Sequence, residues 1–313
     1  MSTELNALSK TQAYQLADIA KTPPQFGSIT PRWLTRFLEF KGLESGIYRV
    51  NKVVEGETPL DILCSSEKKS VEIPEGFVEY QQKPREYILN SISTIINVDT
   101  AVADVFSSPF DQTNEQLALA IESLRERQES QIINNDDYGL LKNVAERQRI
   151  TPIRDGRPTP DDLDELISKV WKEPSFFLAH PRAIAAFQRE CTRRGVPPST
   201  INLYGGTFIL WRGIPLVPTD KLLVDGVKNP NPKRGKTNIL LVRTGEAKRG
   251  VIGLHQSNLQ NEHSRGLSVR LRGIDSKGLA SYLLSLYCSA AILADDAIAI
   301  LEDVEVGEYY DYS

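Results

Sequence analysis

The chain has 313 residues, which fits one large domain or two ordinary ones. Hydrophobic residues make up 40% and charged residues 25%, which excludes general disorder and a membrane bundle. The net charge of −4 argues against a surface built throughout to coat nucleic acid, while leaving room for a local basic patch.

Residues 1–45 read as an arm. Leu5 to Ala20 has the pattern of one short amphipathic helix, and Pro23, Pro24 and Gly27 break it. Trp33, Leu34, Phe37 and Leu38 then form an apolar helical stripe. That stripe fits a helix packed on its own domain or an arm docked on a neighbouring chain, and spacing does not choose between them. Residues 46–90 read as an extended hairpin. Ile47 to Asn51 and Phe77 to Tyr80 supply strand character, and the polar stretch Glu55 to Glu75 forms the tip. Such a hairpin has little to bury within one subunit.

The spacing predicts a long helix over 109–135. Pro109 and Asp111 start it, and Thr113 with Gln116 has capping-box spacing. Leu117, Ala120, Ile121, Leu124 and Ile132 make its apolar stripe, so it is long enough to be a domain's spine. Thr151 to Asp161, with three prolines, reads as a linker between two lobes. A helix follows with Thr159 at its N-cap, Pro160 in its first turn and Leu163, Leu166, Ile167 and Val170 buried. Ser175 to Ala179 reads as a buried strand. Pro181 opens a helix that buries Ile184, Phe187 and Cys191, and Gly195 ends it. Asn202 to Val217 reads as two strands around a Gly205-Gly206 turn.

From Asn238 onwards strands dominate: Ile239 to Val242, Leu267 to Arg272, Tyr282 to Ile292 and Ala297 to Val306. Tyr282 to Ile292 is apolar at every even position, the mark of a half-buried strand. The uncharged run around it, Gly278 to Ala294, is shorter than the ~20 residues of a membrane span. Glu308 to Ser313 reads as a loose acidic, tyrosine-rich tail.

The inventory for catalysis is thin. His180 lies between a strand and a proline, where a local hydrogen bond accounts for it, and His255 and His263 fall in a polar loop. Cys64, Cys191 and Cys288 are odd in number and far apart, which fits a reducing cytoplasm and no disulfide framework. Asp161-Asp162-Leu163-Asp164-Glu165 resembles a magnesium cluster but is also what a helix dipole favours at its start. Pro230 to Thr237 ends like a phosphate loop, yet its first glycine is replaced by proline and a strand follows. Lys228, Lys233, Arg234, Lys236, Lys248 and Arg249 read as a solvated loop rim before a binding patch. No residue is assigned as catalytic, cofactor-binding or metal-ligating. An enzyme therefore lacks a visible constellation and a nucleic-acid container lacks positive charge. A self-assembling structural protein gains support from the arm, hairpin and spine helix.

The order of these elements resembles the Hong Kong-type tailed-phage capsid fold, an α+β class. The words of the sequence resemble family-two (type 2A) encapsulin shell proteins, a family that includes a mycobacterial protein once catalogued as a major membrane protein. The matching stretches include Ile29-Thr30-Pro31-Arg32-Trp33-Leu34, Tyr48-Arg49-Val50-Asn51 and Pro84-Arg85-Glu86-Tyr87. They continue with Leu124-Arg125-Glu126-Arg127-Gln128-Glu129, Pro158-Thr159-Pro160-Asp161-Asp162 and Ala179-His180-Pro181-Arg182. Cys191-Thr192-Arg193-Arg194-Gly195, Trp211-Arg212-Gly213-Ile214-Pro215 and Glu302-Asp303-Val304-Glu305-Val306 complete them.

The resemblance implies an N-terminal arm over 1–45, a hairpin loop over 46–90, and a peripheral domain with the spine helix over 91–150. An axial domain over 151–235, return strands over 236–307 and a tail over 308–313 follow. It implies a shell subunit and not an enzyme, closing on itself in an icosahedral nanocompartment of about 60 copies. The branch without an added cyclic-nucleotide domain fits the length. It is linked to a cysteine desulfurase cargo on the inner wall and to sulfur metabolism in the cytoplasm. Pyridoxal phosphate would belong to that cargo, and the shell would need no cofactor, nucleic acid or membrane. The alternative is the major capsid protein of a tailed phage or prophage, which packages DNA.

Overall fold

The computed structural model describes residues 26–51, 83–98, 112–154, 156–224, 235–275 and 279–307. The N-terminal portion holds α1 (Trp33–Phe37), β1 (Phe40–Leu43), β2 (Ile47–Val50), β3 (Arg85–Ile88) and β4 (Asn90–Val98). The spine helix α2 (Gln112–Asn134), α3 (Leu140–Asn143) and β5 (Arg149–Ile150) follow. Next come α4 (Pro160–Lys169), β6 (Phe176–Ala179), α5 (Pro181–Arg193), β7 (Ser199–Leu203), β8 (Gly206–Trp211) and β9 (Ile214–Pro218). The remainder is β10 (Lys236–Val242), β11 (Val251–Gln256), β12 (Glu262–Ser264), β13 (Leu267–Ile274), β14 (Ala280–Ile292) and β15 (Ile298–Glu305).

A seven-stranded sheet runs in the order β5-β15-β10-β6-β9-β8-β7. Successive side chains on a strand point to opposite faces, so its apolar runs split between two cores. Phe176, Leu178, Leu240, Val242, Ile298 and Ile300 meet Leu34, Leu38, Ile132, Ile133 and Leu140 on one face. Phe177, Ala179, Ile239, Leu241, Ala299 and Leu301 meet Leu163, Leu166, Phe187 and Cys191 on the other. Both faces are covered, which is why Phe176–Ala179 and Ile239 to Val242 read as continuous apolar runs.

The second sheet runs β1-β11-β14-β13-β12, with β4 also on β14. Residues 280–286 of β14 pair with both β13 and β4, which therefore flank it on opposite edges. Ile121 and Leu124 of the spine helix pack on Leu267, Leu284 and Leu286 of this sheet. Ile132 and Ile133, further along the same helix, belong to the core of the other sheet. One helix of roughly 35 Å thus ties two sheets together.

Several expectations are corrected. Residues 33–43, the end of the expected arm, are built into the body: Leu34 and Leu38 are buried, and β1 pairs in parallel with β11. Of the two readings of that stripe, packing on its own chain is the one observed. The hairpin's return strand in the described residues is Arg85–Ile88; Phe77 to Tyr80 lies outside them. Asn202 to Val217 holds three strands, because Arg212 (φ 50) and Gly213 (φ 84) form a second two-residue turn. The first turn centres on Tyr204-Gly205 rather than Gly205-Gly206. The spine helix already includes Gln112, which places Thr113 inside its first turn rather than at the cap. Leu5 to Ala20, the Glu55 to Glu75 tip and the tail from Glu308 also lie outside the described residues.

Candidate assembly surfaces

Among the described residues the hairpin root is fixed to the body on one face. Tyr48, Val50, Tyr87 and Leu89 pack on Leu43, Ile252, Leu254, Ala291 and Leu293. Arg85 donates to the Ile292 carbonyl at 3.2 Å and pairs with Asp295 at 3.1 Å. Tyr48 donates to Glu246 at 2.7 Å, and Lys41 pairs with the same carboxylate. Burial, reinforced by the Glu246 bond, pushes the Tyr48 hydroxyl up to about 12, so it stays a donor. The opposite face of the root presents Ile47 and Ile88, which are 38% and 61% exposed.

A second apolar surface lies between β4 and the spine helix. It is a groove of about 450 Å³ lined by Phe26, Ile95, Leu119 and Leu124 among others. Phe26 and Ile95 are each exposed on it. A third set stands on the loops that end the strands and helices of the seven-stranded sheet: Ile153, Trp171, Tyr204 and Leu223 are all more than half exposed. Water-facing aromatic and aliphatic side chains on several separate rims are what a subunit with many neighbours needs.

Most of the residues weighed for chemistry that lie within the described residues have structural roles. His180 caps α5, its Nδ1 accepting the Arg182 N–H at 3.1 Å, and burial holds its pKa below the usual value. His255 lies on β11, not in a loop, and His263 lies on β12. Burial pushes the thiols of Cys191 and Cys288 up to about 11 and about 12, so neither is a thiolate near neutral pH. In the acidic cluster, Asp162 completes a capping box with Thr159 and also accepts the Ile153 N–H at 2.8 Å. Asp164 accepts from Trp211 at 2.8 Å and Arg212 at 2.9 Å, and Asp161 pairs with Arg194 at 3.5 Å. Lys236 faces Asp303 at 3.9 Å and Lys248 faces Glu173 at 2.8 Å. Lys228, Lys233 and Arg234 lie outside the described residues.

Sequence reasoning missed a polar cluster on the spine helix. Glu126 accepts the Thr30 N–H at 2.9 Å and pairs with Lys221 at 2.8 Å. Glu129, one turn on, is buried. The available signal was a pair of glutamates at i, i+3 beside an apolar stripe.

Two sheets bridged by a spine helix, with a hairpin rooted on one face, make up the capsid-like fold. The capsid of a native GTA particle has that fold, with a TM-score of 0.56, 13% identity and coverage of 95% of this chain and all of that one. Residues 48–308 match the SrpI-like family of type 2A encapsulin shell proteins, and the chain belongs to that family. It is 54% identical to the type 2A encapsulin shell protein SrpI of Synechococcus elongatus, over 98% of this chain and 96% of that one. It is 49% identical to a type 2A encapsulin shell protein of Mycolicibacterium paratuberculosis, over 99% and 98% of the two chains. The cryo-electron-microscopy structure of the holo-SrpI encapsulin complex from Synechococcus elongatus gives a TM-score of 0.81 at 52% identity, covering 98% of this chain and 99% of that one. The chain is thus a shell subunit. Among the described residues no helix is long and apolar enough to cross a membrane.

Proposed function

We propose that about 60 copies of this chain close into an icosahedral nanocompartment in the cytoplasm. The shell encloses a cysteine desulfurase bound to its inner wall and serves sulfur metabolism. The pyridoxal phosphate belongs to that cargo, and the shell itself supplies confinement rather than catalysis. The near-full-length 54% identity to SrpI carries the reading. Ile47, Ile88 and the apolar rim residues support it physically. Each contact buries apolar surface worth about 25 cal/mol per Å², and closure repeats it on every chain. A DNA-packaging phage capsid is the weaker reading, since the likeness to the GTA capsid is at 13% identity and speaks for the fold alone.

The test is expression alone and together with a cysteine desulfurase, followed by electron microscopy of the purified particles. Closed particles with protein-like absorbance at 260 against 280 nm are expected. Pyridoxal phosphate absorbance should travel with the co-expressed particles. A chain that stays monomeric in every native buffer overturns the shell. Closed particles that exclude the desulfurase overturn the cargo alone.

A further inference from the structure

Where α1, the spine helix and strands β11, β12 and β14 meet, they border a cleft of about 360 Å³. Arg32, Arg36, Arg125, Arg265 and His255 line it. Among the described residues only Arg32 is neutralised, by Glu122 with Glu126 at 3.6 Å. Arg125 donates to the uncharged Ser264 hydroxyl at 2.8 Å. Arg36 lies over the Trp33 ring at 5.0 Å, and among the described residues neither it nor Arg265 makes an ion pair. Glu262, the acid nearest Arg265 in sequence, accepts the Gly266 N–H at 3.1 Å and lies near enough to act on His255. Nδ1 of His255 is buried without a partner.

Three guanidinium groups left without counter-charges in one cleft repel each other, and the chain as a whole is acidic. A bound anion removes that cost. Guanidinium forks match the paired oxygens of a phosphate, and each such charge-assisted bond is about twice as strong as a neutral one. The cleft also has an apolar side. Leu286 is buried in it, and the Phe40 ring lies edge-on to His255 at 6.4 Å. A bare inorganic ion leaves that wall unused. The volume lies at the small end of the range for organic ligands.

We propose that this cleft binds a small phosphorylated organic anion, with Arg36, Arg125 and Arg265 on the phosphate and the organic body against Phe40 and Leu286. The ligand joins α1 to the second sheet, so occupancy stabilises the subunit according to ligand concentration. The site is separate from the apolar surfaces, and its existence does not depend on which cargo the shell holds.

Isothermal calorimetry on assembled full-length particles tests this, with adenosine monophosphate, inorganic phosphate and adenosine as probes. Saturable binding of adenosine monophosphate at one site per chain is expected, tighter than that of phosphate, with no binding of adenosine. Arg36→Gln and Arg265→Gln should each weaken it about tenfold. Arg212→Gln, remote from the cleft and paired with Asp164, should leave it unchanged. Arg36 touches Trp33, so if its variant melts early, Arg265→Gln decides, because that side chain is exposed. Absence of saturable binding overturns the proposal, as does affinity unchanged in Arg265→Gln. Binding seen only after particles are dissociated overturns it too, since acidic groups of a neighbouring copy then fill the cleft.

Discussion

The Thr219 hydroxyl donates to Oε1 of Glu129 across 3.1 Å, joining the loop after β9 to the C-terminal third of the spine helix. Glu129 is only 1% exposed, and its Oε2 has no partner. Burial pushes its carboxyl up to about 7, against the opposing pull of Thr219, the Thr35 backbone and Lys221. At Glu126 burial also acts upwards, but Lys221 and Thr30 outweigh it and hold that carboxyl low. One turn of helix therefore carries two glutamates with opposite behaviour.

Folded Glu129 keeps its proton up to about pH 7, whereas in the unfolded chain it loses it near 4.5. Between those values the native state binds more protons, so stability falls as pH rises and levels off above about 7. Glu129→Gln should flatten that slope by up to about 3 kcal/mol. Urea melts across this pH range check it, and an unchanged slope in the variant contradicts it.

Arg243 is buried and donates to Asp296 at 2.7 Å, while Lys172 holds the same carboxylate at 2.8 Å. Burial alone would raise the Asp296 carboxyl; Lys172 and Arg243 overcome it and hold it below its usual value. Its contribution is present above the unfolded pKa and is lost as pH falls through the lower folded one. Replacing Arg243 by Met leaves Asp296 with one partner and should cost about 3 kcal/mol. Denaturant unfolding near neutral pH measures it.

The Thr159–Asp162 box makes two unequal predictions. Thr159→Ala removes the cap bond from the Asp162 N–H and the hydroxyl's own bond to the Asp162 carboxylate, and should cost about 1 kcal/mol. Asp162→Ala should cost more, because its carboxylate also holds the backbone N–H groups of Thr159 and Ile153, each at 2.8 Å. Faster amide exchange at Ile153 should accompany the second change and be absent from the first.

Ile88→Asp separates assembly from folding. The side chain is 61% exposed on the free face of the hairpin root. The melting of dissociated subunits should stay within about 0.5 kcal/mol of the parent, while particles form in lower yield or fall apart in less denaturant. Parent-like particles would show that this face touches no neighbour.

Sequence reasoning succeeded where the signal was local. The Thr159 cap, the apolar strand runs and the spine helix stripe are all written within short stretches, whereas Tyr282 to Ile292, apolar at every even position, is mostly buried on both faces from Leu284 onwards because both sides of its sheet are covered there. It failed where partners are far apart. Val251–Gln256 contains Gly253, on which any Cβ would strike the Phe40 ring at 2.4 Å, and that reason for a glycine in a strand lies some 200 residues upstream. Arg212-Gly213 offered a turn with one glycine where the eye expects two. The cleft arginines come from three separate stretches, 32 with 36, then 125, then 265, so only the fold brings the three together.

The parallel pairing of Phe40–Leu43 with residues 253–256 also orders events at the ribosome. A nascent chain carries β1 without a ladder partner until most of its length has been translated, since closing so long a loop must precede the contacts that reward it. Half-made subunits therefore lack a finished second sheet, and polysome-bound fragments have no complete surface to offer one another. The second sheet is thus complete only when the polypeptide is nearly whole.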